Sequence, residues 1–118
     1  LEHLEPYGFT SHPNAGAEHV AGFIEGDRSH GVVLVAADRR FRPVNLAVGD
    51  VCLYNDHAMI IKLTKDGIVI TGGTKPINIS GVPQVNVTGG DVICDGISLK
   101  THKHGGVQAG GSQTGVPV

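Results

Sequence analysis

The chain has 118 residues, 40% of them hydrophobic and 17% charged, with a formal net charge of −2 at pH 7. This length suits one or two domains and no large enzyme, and the slight acidity without clustered Lys and Arg argues against nucleic acid as a partner. No apolar run is long enough to span a bilayer and no basic-then-apolar leader is present, so neither a membrane span nor a signal peptide is expected; a start at Leu1 in place of Met is expected of a piece cut from a longer protein.

In chain order, β-branched and aliphatic runs bounded by turn residues predict strands over 18–24, 32–37, 51–54 and 59–63. They are separated by Gly26-Asp27-Arg28-Ser29-His30-Gly31, by the stretch 39–43, and by Asn55-Asp56. No segment sustains a helical apolar stripe over three turns. Several short strands in residues 1–65 predict an all-β fold that opens with a small OB-like antiparallel barrel. Composition then breaks near Asp66-Gly67. All five aromatics (Tyr7, Phe9, Phe23, Phe41, Tyr54) precede it, and of the charged residues only Lys75, Asp91, Asp95, Lys100 and Lys103 follow it.

Beyond the break, apolar-x-apolar triplets recur at Ile68-Val69-Ile70, Ile77-Asn78-Ile79, Val85-Asn86-Val87, Val92-Ile93-Cys94 and Ile97-Ser98-Leu99. Their starting points are spaced by nine, eight, seven and then five residues. Strand alternation places the outer members of a triplet on one face and the middle one on the other. One chain then offers only a narrow aliphatic ribbon, which is marginal in water by itself. Three chains wound about a common axis would bury the ribbon and pair the strand edges, so residues 66–101 are expected to form an intertwined trimeric β-helix or β-prism narrowing toward the C-terminus. Cys52 and Cys94 are 42 residues apart, a spacing that matches neither a metal knuckle nor a disulfide framework; both read as small buried hydrophobes.

His102-Lys103-His104 is the constellation that suggests specific chemistry. In an extended segment, residues i and i+2 project from the same face about 6.6 Å apart, so both imidazoles can reach one metal ion. Two ligands do not complete a site. On a threefold axis, however, His102 and His104 of three chains supply six nitrogens, an octahedral set suited to iron or another octahedral transition metal and unlike zinc's structural tetrahedron. His3, His12, His19, His30 and His57 have no comparable spacing. Gly105-Gly106 directly after the pair allows a sharp reversal at an apex, with the uncharged tail to Val118 packed back along the shaft; residues 102–118 are expected to be the tip.

The ending Thr101-His102-Lys103-His104-Gly105-Gly106-Val107-Gln108-Ala109-Gly110-Gly111-Ser112-Gln113-Thr114-Gly115-Val116-Pro117 resembles the C-terminal signature of the central spike proteins (baseplate assembly protein V) of contractile-tailed phages. Glu5-Pro6-Tyr7-Gly8-Phe9-Thr10-Ser11-His12-Pro13 resembles the opening of the spike region in the bacteriophage Mu branch of that family. The resemblance implies a homotrimeric cell-puncturing spike in the virion, assembled in the host cytoplasm, with the phage baseplate hub and tail tube as partners and the host outer membrane as target. It also implies one iron ion per trimer at the tip, held by the pairs matching His102 and His104, and further calcium and chloride ions within the shaft. Asp91 and Asp95 are the late carboxylates available to calcium, but alternation does not decide which faces inward.

Three other readings compete. A metallohydrolase needs further His or acidic ligands, and none follows His104. An OB-fold nucleic-acid- or ligand-binding module would use Phe41 with Arg39, Arg40 and Arg42 as a stacking and phosphate-contact loop. A carbohydrate-cleaving tip lacks paired carboxylates. No catalytic residue is assigned, and the closed six-ligand shell is expected to be structural.

Overall fold

The computed structural model describes residues 1–108 and 110–111. The chain divides into two units, Leu1–Ile77 and Asn78–Val118. The fold is all-β, as expected.

In the first unit, β1 (Glu2–His3), β2 (Glu18–Phe23) and β3 (Gly31–Ala37) form a sheet of order β1-β3-β2. The seven-residue run of β3, rich in β-branched residues, is its centre. It pairs antiparallel with β2, across an irregularity at Val20/Ala21, and parallel with the short β1. The β2–β3 connection contains a 3-10 turn, Ile24–Gly26. Further on, the Asp27 carboxylate accepts hydrogen bonds from the Ser29 amide at 2.8 Å and hydroxyl at 2.7 Å. These bonds hold the Asp27 carboxyl below the usual carboxylate range, the Ser29 amide acting most strongly.

The second sheet is the antiparallel meander β4 (Val51–Tyr54), β5 (Ile60–Thr64) and β6 (Gly67–Thr71). Asn55 shapes the β4–β5 connection: its Oδ1 accepts from the amides of His57 at 3.0 Å and Met59 at 3.1 Å. Lys65-Asp66 alone joins β5 to β6, because Thr64 pairs with Gly67. The first aliphatic triplet, Ile68-Val69-Ile70, is therefore the middle of β6 and is paired within the chain. Neither sheet of this unit extends beyond three strands.

Register decides what the meander presents. Val51 faces Leu63, Leu53 faces Ile61, and on the other side of β5, Ile61 faces Ile70 and Leu63 faces Ile68. Residues opposite one another share a face, so these six side chains form one aliphatic surface. All six are exposed, from 45% for Ile61 to 71% for Ile68.

The second unit is sparser. β7 (Ile93–Cys94) and β8 (Ile97–Ser98) make a two-stranded hairpin. The triplets at 77–79 and 85–87 carry no ladder pairing within the chain. Ile79, Val85, Val87, Ile93, Ile97 and Leu99 all stand exposed. Cys94 is exposed and Cys52 half-buried, and both are free; the expected burial is not reached among the described residues, where the aliphatic neighbours of Cys94, Val92, Ile93 and Ile97, are themselves exposed.

The buried apolar core among the described residues amounts to Val32. Hydrophobic burial is the main favourable term in folding, and among the described residues most of the large aliphatic side chains stand exposed.

Candidate metal centre

The site begins with a turn. Asp95 and Gly96, the two residues between β7 and β8, have φ of 48° and 83°, the pair of positive values that a type I′ hairpin requires and that Asp-Gly adopts readily. Beyond β8, the Leu99 amide donates to the Val92 carbonyl at 2.8 Å and the His102 amide to the Ser98 carbonyl at 3.1 Å. The first bond extends the hairpin by one rung and the second closes a single turn just before the imidazole pair.

Asp91 holds this turn from the other side. Its Oδ1 accepts from the amides of Val92 at 2.8 Å and Lys100 at 3.2 Å. Its Oδ2 accepts from the Ser98 hydroxyl, and the Ser98 oxygen in turn accepts from the Thr101 amide at 3.0 Å. The Asp91 carboxyl is held below the usual range, first by the Ser98 hydroxyl and then by the two amides and the nearby His102 imidazole.

His102 Nδ1 lies 2.9 Å from the Ser98 carbonyl oxygen and 3.1 Å from that of Leu99. Carbonyl oxygens only accept, so Nδ1 carries the proton and Nε2 of the neutral ring keeps its lone pair for a metal ion. The His102 and His104 rings are 5.2 Å apart between centroids and inclined at 79°. Metal–nitrogen bonds of about 2.1 Å would place two imidazoles bound at right angles with centroids roughly 4.6 Å apart. The observed spacing is within about 1 Å of that value, and the His102 tautomer leaves its Nε2 without a proton. Both side chains are exposed.

The structure thus brings the two sequence-predicted ligands together and adds no third: no group of three or more His, Cys, Asp or Glu side chains able to hold a metal occurs among the described residues. Gly106, in the segment where a reversal is expected, has φ of 74°. The expected packing of the tail concerns Ala109 and residues 112–118, which lie outside the described residues. Sequence reasoning passed over Ser98 and gave Asp91 no role at the imidazoles. The available signal was Ser98 four residues before His102, the spacing of a single closed turn.

Two of the three arginines of the competing reading, Arg39 and Arg40, are engaged with acids. Arg39 pairs with Glu18 through Nε and Nη2, each at 2.6 Å. Arg40 grips Asp38 through Nε at 2.8 Å and Nη2 at 2.6 Å, and also donates to the Ala15 carbonyl at 3.1 Å. Its guanidinium sits 5.4 Å from the Phe41 ring centre, so charge and ring are spent on each other. A groove of about 530 Å³ beside this loop, lined by Phe9, Phe41, Tyr54 and Asp38 among others, holds neither predicted ligand.

An all-β chain whose C-terminal hairpin presents an imidazole pair is the class that fold and site define. Residues 1–40 match the family described as "Bacteriophage Mu Gp45, N-terminal", and residues 96–118, which include Ser98, His102 and His104, match the "GpV Apex motif". The chain is 32% identical to the baseplate puncturing device gp45 of Escherichia phage Mu, over 93% of its own length and 70% of the relative's. It is 33% identical to the Mu-like prophage FluMu protein gp45 of Haemophilus influenzae, over 88% of its own length and 69% of the relative's. No solved structure matches. The chain belongs to the phage Mu gp45 family of baseplate spike proteins.

Proposed function

We propose that the chain is the structural puncturing spike of a contractile phage tail, a homotrimer clasped at its apex by one iron ion bound to His102 and His104 of each chain. The observation that carries this reading is the two-ligand deficit: an imidazole pair with its Nε2-open tautomer set at His102, and no third ligand group among the described residues. Three copies make up the deficit with six nitrogens. They also give cover to the aliphatic faces that one chain leaves in water. Residues 1–65 form the OB-like barrel of each chain, 66–101 the intertwined β-helix, and 102–118 the tip.

Each part then has a mechanical task. The shaft triplets bury against their counterparts and pair strand edges that would otherwise fray. Burial is least at the narrow end, where few side chains fit, so cohesion there has to come from ligation. Structural zinc sites in small domains contribute about 10–16 kcal/mol, and a comparable clasp would stand well above the roughly 1.5–3 kcal/mol of one buried aliphatic side chain. A shell filled by protein nitrogens leaves no position for substrate, so the ion serves as a clasp and the protein is not an enzyme. Mounted on the baseplate hub below the tail tube, such a point transmits the force of sheath contraction to the host outer membrane. Calcium and chloride within the shaft belong to the same reading.

Elemental analysis of purified protein tests the clasp: one iron per three chains is expected, and one per chain, or none, contradicts it. Immunogold labelling of intact particles tests the placement. Label confined to the distal end of the tail is expected; label on the capsid or along the sheath contradicts it.

A further inference from the structure

We propose that Asp91 is a positioning residue for the metal-binding imidazole, acting through Ser98 to hold the His102 ring in the tautomer that leaves Nε2 open. The inference rests on the clasp reading and adds to it the residues that prepare the ligand.

Asp91 sits eleven positions before His102 in the sequence and does not touch the ring. Its two carboxylate oxygens accept from three groups spread around the turn, the Val92 and Lys100 amides and the Ser98 hydroxyl. With these bonds made, Ser98 is fixed at both ends. Its hydroxyl lies between Asp91 and the Thr101 amide, and its carbonyl takes both the backbone amide and the Nδ1 proton of His102. Ser98 therefore receives the pull of the carboxylate and passes it to the ring as the nearer of the two carbonyl acceptors at Nδ1, the other being Leu99.

A free imidazole exchanges its proton between the two nitrogens, and a carbonyl held beside Nδ1 removes that freedom before any metal arrives. Hydrogen-bonding partners of metal-ligating histidines act in this way, and their loss typically weakens metal binding about 10- to 100-fold. Ordering also matters, because three such pairs have to meet: each turn that is already set lowers the entropy lost on assembly. Asp95, the other late acid, lies in the turn itself with φ of 48°, and its carboxylate makes none of these bonds. This separates the two late acids, which alternation alone left equivalent.

The test uses the full 118-residue chain with ¹⁵N-labelled histidine, as wild type, Asp91→Ala, Ser98→Ala and Ser98→Thr. Imidazole nitrogen shifts of the metal-free protein report the tautomer. Wild type and Ser98→Thr, which keeps the hydroxyl, are expected to show His102 protonated at Nδ1, and the two alanine variants a mixture. Titration with ferrous iron should give binding about 10- to 100-fold weaker in both alanine variants, with Ser98→Thr restoring it. A tautomer unchanged in both alanine variants, or iron affinity within twofold of wild type, would overturn the proposal. Wild-type protein that takes up no iron would defeat the clasp reading instead, and the metal-free tautomer would still decide the role of Asp91. Should Asp91→Ala fail to fold, Ser98→Ala supplies the same comparison, since the turn backbone stays intact.

Discussion

Ile61 and Ile70 lie opposite each other at the middle of the aliphatic face on the β4–β5–β6 meander and are 45% and 54% exposed. Changing both to Thr keeps the β-branch and the strand preference while cutting the apolar surface. Taking roughly 180 Å² for a free isoleucine, the pair leaves about 180 Å² open in one chain, worth about 4.5 kcal/mol if other copies cover it. Threonine retains about half of that, so the double variant should lose about 2 kcal/mol per chain, or roughly 6–7 kcal/mol per trimer. At about 1.4 kcal/mol per decade, the overall dissociation constant of the trimer should rise by four to five decades. Were the face exposed in the assembly, the same changes would stay within about 0.5 kcal/mol. Sedimentation equilibrium across a dilution series separates the two cases. A dissociation profile within one decade of wild type refutes the assignment of this face to contact between copies.

Replacing His102 and His104 together with Ala should abolish iron binding yet leave the trimer assembled, because burial and ligation are separate sources of cohesion; a monomeric double variant would place cohesion in the wrong element. Arg40 holds the Asp38 carboxyl below its ordinary value of 3.8, and a group depressed in the folded state contributes stability above that value which is lost as pH falls through the lowered one. Asp38→Asn should therefore melt lower than wild type at pH 7, with the two midpoints converging as the pH falls below 3.8; a gap that stays constant on acidification contradicts the ion pair's contribution. Asn55→Ala removes the acceptor of two backbone amides and should cost about 1–2 kcal/mol, read as a fall in the thermal midpoint, whereas Asn55→Asp keeps the acceptor and should stay near wild type.

What the sequence disclosed follows from where each signal resides. The run 51–54 and the strands around 18–23 and 31–37 were legible because β-branched residues stand between strong turn formers, a purely local pattern. β1 was not, since Glu2–His3 becomes a strand only by lying beside β3, and a two-residue segment has no period. The triplet at 68–70 has the pattern of its later counterparts but pairs within the chain, because Lys65-Asp66 gives it a hairpin partner. The triplets at 77–79 and 85–87 have no such neighbour. At the site, i and i+2 spacing foretold that His102 and His104 lie side by side. The carboxylate and hydroxyl that prepare His102 were hidden, because Asp91 meets Ser98 only after Asp95-Gly96 reverses the chain.

The solution mass of the intact chain at micromolar concentration, taken by light scattering coupled to size exclusion, tests the central claim most directly. The account predicts three times the 12.2 kDa protomer, persisting on dilution. A folded species at the protomer mass would contradict it, since one chain can neither fill the metal shell nor cover its aliphatic faces.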